Sequence, residues 1–122
     1  MIAILVVDDE PTNARLFRQR FRHEIKSGEL EFNFAISGKE GLELFYLNDQ
    51  QYDFILTDIN MPGMNGLEFL QEIRKSNKTV PVYVLSAYEN NQYNEQALSL
   101  GATGFLTKPL IFSDLRDIID NL

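Results

Sequence analysis

Short apolar runs alternate with longer amphipathic stretches along the whole chain. The short runs cover residues 2–7, 31–36, 52–57, 80–85 and 103–106. They are rich in Val, Ile, Phe and Leu, and three of them show little polar alternation, as strands buried on both faces of a sheet do. The stretches between have helical spacing. Pro11 follows Asp9 and Glu10 and stands where a first helical residue tolerates proline. Phe17, Phe21 and Ile25 then recur every four residues along one face, and Ser27-Gly28 closes the helix. Ser37-Gly38 precedes a second helix carrying Leu42, Phe45 and Tyr46. Asn65-Gly66 leads into a third, with Leu67, Leu70 and Ile73 turned inward and Ser76-Asn77 at its close. A fourth, over residues 90–100, offers little apolar area in Asn90-Asn91-Gln92-Tyr93-Asn94. Ser113 is expected to cap a fifth, with Leu115, Ile118, Ile119 and Leu122 at i, i+3, i+4 and i+7.

Five strands alternating with five helices predict an α/β fold. Each connection is long enough for a right-handed crossover, so the sheet should be parallel, with helices on both faces of a doubly wound sandwich. The 122 residues fit one domain, 1–122. Such sheets bind ligands outside the carboxyl ends of their strands, where the strand order switches. Those ends carry the charge here. Asp8-Asp9 follow the first apolar run, Asp58 the third and Lys108 the fifth.

Composition narrows the partners. The chain is 44% apolar, enough to bury a core. Eighteen acids against 11 bases give a net charge of −7, which disfavours direct nucleic-acid binding by this chain. The local basic cluster Arg15, Arg18, Arg20, Arg22 and Lys26 reads as a solvated helix face. There is no cysteine, hence no disulfide framework or thiolate metal site, which fits a reducing cytoplasm. The apolar runs are too short to cross a bilayer. The start, Met1-Ile2-Ala3, lacks the basic region of a secretory signal, so none is expected.

Three acids beside one amine form a costly cluster unless something occupies it. Two tandem acids at a buried strand end raise each other's pKa unless a cation intervenes. Helix capping by Asp9 or Glu10 before Pro11 would need one acid only, whereas the tandem pair Asp8-Asp9 favours a hard cation with oxygen ligands, such as magnesium. Asp58 alone would be read as an Asx turn before Pro62-Gly63. With Asp8-Asp9 and Lys108 at equivalent strand ends, it becomes a candidate nucleophile toward phosphorus, with Lys108 as a compact neutralising charge. Ser86 could cap the next helix or donate to a phosphoryl oxygen. Phe105 reads first as core, and His23, between Arg22 and Glu24, as a solvated helix residue.

At this point the chain resembles the receiver domain of bacterial two-component response regulators, the CheY-like fold. The resemblance covers essentially the whole chain. It rests on Val6-Val7-Asp8-Asp9-Glu10, on Leu56-Thr57-Asp58-Ile59-Asn60-Met61-Pro62-Gly63-Met64-Asn65-Gly66, on Leu85-Ser86-Ala87, on Gly101-Ala102 and on Phe105-Leu106-Thr107-Lys108-Pro109. It implies the flavodoxin-like strand order 2-1-3-4-5. Asp58 would be the phosphoacceptor, served by a sensor histidine kinase, a phosphotransfer protein or a small phosphodonor. Asp8, Asp9, Asp58 and the Asn60 backbone carbonyl would hold Mg2+. Lys108 would pair with Asp58 at rest and with the phosphoryl group afterwards, and Lys108-Pro109 would be cis. Ser86 would fill the hydroxyl position and Phe105 the switch-aromatic position, rotating inward once Ser86 moves. Asn60 and Tyr88, two residues past Asp58 and Ser86, would tune dephosphorylation. Output would pass through the fourth helix, fifth strand and fifth helix to an output domain, a partner protein or a phosphorylation-dependent homodimer. The domain would signal in the cytoplasm, assisting only its own phosphorylation and dephosphorylation. A free-standing receiver and the receiver part of a longer regulator both fit.

Three rivals are weaker. A haloacid-dehalogenase-type phosphatase also uses Mg2+ and an aspartyl phosphate, but places its nucleophile at the first strand in an Asp-x-Asp pattern and adds a substrate-selecting cap. A receiver that is never phosphorylated usually has a degenerate pocket. A histidine phosphotransfer protein built on His23 would be a helical bundle without five strand signals.

Overall fold

Alternate side chains of the central strands enter opposite cores, and that alternation sets the layers. The computed structural model describes residues 1–87 and 91–122. Among the described residues there are five strands, β1 (Ile2–Val7), β2 (Leu30–Ala35), β3 (Phe54–Asp58), β4 (Val82–Ala87) and β5 (Gly104–Lys108). Six helices accompany them, α1 (Pro11–Arg20), α2 (Arg22–Ser27), α3 (Gly38–Leu47), α4 (Gly66–Ser76), α5 (Asn91–Ser99) and α6 (Phe112–Asp120). The strands form one parallel sheet in the order β2-β1-β3-β4-β5, as expected.

In β1, Leu5 and Val7 join a core with Phe45, Phe69, Leu70 and Ile73, beneath α3 and α4. Ile4 and Val6 join the opposite core with Phe17, Phe21, Leu115 and Ile119, beneath α1, α2 and α6. A small third cluster, Ile59, Leu67, Val84 and Ala97, seats α5. Every residue of β3 is buried, whereas the edge strands β2 and β5 are only partly covered.

The expected first helix is two. It breaks at Phe21, whose backbone (φ −108°, ψ 24°) serves as C-cap of α1 and N-cap of α2. The period of four survives the break, and Phe17 and Phe21 are both buried. Gly28 ends α2 in the left-handed region at φ 83°, where a side chain would be strained. Asn65 caps α4 with a reciprocal Asn65–Glu68 capping box. Ser113 does not cap α6. Ile111 holds the N-cap position without a side-chain bond, and the Asp114 N–H donates to the Ile111 carbonyl instead. The start expected for the fourth predicted helix, Asn90, and the candidate Tyr88 lie outside the described residues.

Candidate functional site

Parallel register brings the charged strand ends level. Val7 pairs with Ala35 on one side and with Thr57 on the other. Asp8 and Asp58, one residue further along, therefore stand side by side at the carboxyl edge. Lys108, at the end of β5, pairs with Ala87 of β4 and so stands two strands away from Asp58. Its four-carbon stem passes the end of β4 and sets Nζ 2.7 Å from Asp58 Oδ2. One oxygen each from Asp8, Asp9 and Asp58 lie within 4.8 Å of one another. The three acids and the lysine picked out by their strand-end positions thus meet at one place.

Backbone and side-chain donors orient these acids. Asp8 Oδ1 accepts from the Glu10 N–H at 2.9 Å and Oδ2 from Asn13 Nδ2 at 2.8 Å. The helix-cap reading of the tandem acids does not hold, because Glu10 is the N-cap of α1 and makes no side-chain cap bond. Asp58 Oδ1 accepts from the Asn60 N–H at 3.2 Å, so the Asx turn exists and coexists with the ion pair. The loop after Asp58 folds back so closely that a Cβ on Gly66 would lie 2.2 Å from the Asp58 carbonyl oxygen. Only glycine fits there, and the Gly66 N–H donates to the Ile59 carbonyl at 2.9 Å.

Asp58 is 4% exposed. Burial pushes its pKa above the ordinary aspartate value, with Asp8 adding to the rise, while the hydrogen bond and charge of Lys108 and the Asn60 N–H pull it down. A carboxylate so placed keeps a standing demand for positive charge. The donor set suits a hard divalent cation: three carboxylates supply oxygen only, and each oxygen has a second lone pair beyond the bonds just described. Beside the acids a cleft of about 280 Å³ is lined by Asp8, Asn13, Asp58 and Lys108 on its polar side and by Leu16, Phe17, Leu85, Leu110 and Phe112 on its apolar side.

Ser86 sits in β4, one residue beyond Leu85, the register partner of Asp58, and is 2% exposed. Its hydroxyl donates to Asn94 Oδ1 on α5 rather than to a helix terminus. Phe105 is not core: it is 40% exposed on β5. Lys108-Pro109 is a cis peptide. The Asn60 side chain is exposed, as are His23 and all five residues of the basic cluster. Asn13 and Asn94 were not picked out from the sequence as site residues, and Gly66 only as part of the Asn65-Gly66 pair before the third predicted helix. For Asn94 one signal existed, since it lies three residues before Ala97 and shares its buried phase.

A family model described as response regulator receiver domain matches residues 4–120. Chemotaxis protein CheY-3 of Vibrio cholerae is 32% identical over 122 residues, covering 98% of this chain and 89% of that protein. The glycerol metabolism activator of Pseudomonas putida is 35% identical over 130 residues, covering all of this chain and 54% of that protein. The chain spans about half the length of several curated relatives that it matches. Among solved structures, a response regulator receiver domain protein from Clostridium thermocellum superposes with a TM-score of 0.83 at 31% identity, covering 99% of this chain and 93% of that one.

Proposed function

Because the chain belongs to the response regulator receiver domain family, a family of signalling domains, we propose that it is a phosphoacceptor switch in which Asp58 takes a phosphoryl group from a histidine kinase or phosphotransfer protein. The observation that carries this reading is the convergence of Asp8, Asp9 and Asp58 within 4.8 Å, with Lys108 2.7 Å from Asp58.

An Asp58 carboxylate oxygen attacks phosphorus. The bond from phosphorus to the donor, an imidazole nitrogen or an acyl oxygen, breaks and its electron pair leaves with the donor, giving an acyl phosphate on Asp58. Mg2+ held by Asp8, Asp9, Asp58 and the Asn60 backbone carbonyl supplies positive charge against the phosphoryl oxygens when bound. Lys108 transfers its ion pair from the carboxylate to the phosphoryl group. Ser86 donates its hydroxyl proton to a phosphoryl oxygen, and Phe105 turns inward from its exposed position. Water later attacks phosphorus, the P–O bond to Asp58 breaks, and inorganic phosphate and a proton leave as the Asp58 carboxylate is restored. Asn60 and Tyr88 govern how easily that water arrives.

The unit of action is residues 1–122. Its signal passes through the face made by α5, β5 and α6, the fourth helix, fifth strand and fifth helix of the sequence reading, to an output domain, a partner protein or a second copy. Cytoplasmic action fits this role, and among the described residues no helix is long and apolar enough to cross a membrane.

Intact-mass measurement after incubation with acetyl phosphate tests the reading. The native chain should gain one phosphoryl group with Mg2+ and none once the metal is chelated, and Asp58→Asn should gain none. Labelling of the Asp58→Asn chain, or metal-independent labelling of the native one, removes it. Tyr88→Ala should shorten the phosphorylated lifetime, read as the decay of that mass peak; an unchanged or longer lifetime would remove the shielding role of Tyr88.

A further inference from the structure

Two buried polar side chains meet between β4 and α5. The Ser86 hydroxyl, 2% exposed, donates to Asn94 Oδ1, 4% exposed, at 2.5 Å. A serine hydroxyl carries one proton. While that proton is held by Asn94 it cannot be given to a phosphoryl oxygen at Asp58. If it is given to the phosphoryl group, Asn94 Oδ1 loses its donor in a buried position, which is unfavourable unless α5 moves. We infer that Asn94 is a positioning residue: it holds the Ser86 hydroxyl in the resting arrangement and makes phosphoryl uptake at Asp58 compete with the docking of α5 for a single proton.

The inference rests on the phosphoacceptor reading of Asp58 and extends it to a residue outside the pocket. The surroundings of α5 give the contact its weight. Ala97 is the buried apolar residue of α5 in the cluster with Ile59, Leu67 and Val84, while Tyr93 and Leu98 are exposed. A helix seated on so little apolar surface depends on its polar anchor more than one with a broad apolar stripe. Breaking the Ser86–Asn94 bond therefore loosens the same helix that lies on the proposed output face.

The test uses the full chain and beryllofluoride with Mg2+ as the probe, since beryllofluoride stands in for a phosphoryl group on a carboxylate. Asn94→Leu removes the acceptor at similar volume, and Asn94→Ala is a second variant should leucine not be accommodated. Each should bind beryllofluoride roughly two- to tenfold more tightly than the native chain, because the hydroxyl no longer has to be freed first. In a Ser86→Ala background the gain from Asn94→Leu should vanish. An equal gain in that background assigns the effect to α5 packing alone and overturns the inference. Weaker or unchanged binding by both variants beside a native chain that binds overturns it as well. A native chain that takes up no beryllofluoride overturns the phosphoacceptor reading and this inference together.

Discussion

Asp58 is 4% exposed, and its ion-pair partner Lys108 keeps 38% of its side chain in water. Burial outweighs that pairing, so the folded-state pKa of Asp58 lies above its unfolded value. Between those two values the folded chain holds more protons than the unfolded one, and stability falls as pH rises through that window. The full loss is present once the pH lies above both values. Asp58→Asn removes the ionisation, and Lys108 can turn to solvent. That variant should be more stable than the native chain at a pH above both values, with the gain shrinking as the pH falls below them. Thermal melts of the two chains across pH read this directly; a variant less stable above both values would show that Lys108 compensates Asp58 fully. The residues that create this tension were legible from sequence because each ends an apolar run, and parallel strands gather their ends. Asn13 and Asn94 were not, because their place depends on how a helix is rotated against the sheet. Neither Asn13, reaching Asp8, nor Asn94, reaching Ser86, interrupts any apolar pattern.

Element boundaries departed from the sequence reading where polarity was taken as a stop. The third, fourth and fifth strands were expected to end at Thr57, Leu85 and Leu106, yet they run on through Asp58, Ala87 and Lys108. Strand pairing is made by backbone groups, so a polar side chain at a sheet's edge does not end it. Asp58, Ser86 and Lys108 consequently stand on the strands themselves rather than on loops. The break between α1 and α2 was hidden for another reason. Neither proline nor glycine causes it. From α6, an Arg116 guanidinium nitrogen donates to the Arg20 carbonyl at 2.6 Å, another pairs with Glu24 at 2.8 Å, and the group lies 4.5 Å from the centre of the Phe21 ring. The break is thus tied to a contact from the far end of the chain, which local periodicity cannot reveal. Arg116→Met keeps the stem and loses all three interactions. It should destabilise the fold by about 1–2 kcal/mol, most of it from the carbonyl bond, since a partly exposed ion pair contributes little. A denaturant melt with an unchanged midpoint would deny Arg116 this role.

Across the molecule, stability is unevenly spread. Helix α4 buries Gly66, Leu67, Phe69, Leu70 and Ile73 and closes its start with a capping box, whereas α5 rests on Ala97 and the Asn94 anchor. The parallel, doubly wound sheet with helices on both faces followed from alternation and crossover, and the strand order from the family resemblance, so the rigid part of the molecule was open to sequence reasoning. The contrast between its helices was visible only in part, as the polar composition of residues 90–94. Amide exchange by mass spectrometry should register it. Backbone amides of α5 should exchange faster than those of α4 in the resting chain, because local opening of α5 exposes little apolar surface. If the proposed switch operates, beryllofluoride with Mg2+ should change exchange in α5 and β5 more than in α3 and α4, since Ser86 bonds to Asn94 of α5 and Phe105 stands on β5. Equal protection of α4 and α5 at rest would mean that α5 is anchored by more than these contacts. A change spread evenly over all six helices would mean that the domain responds as one body, without a yielding face.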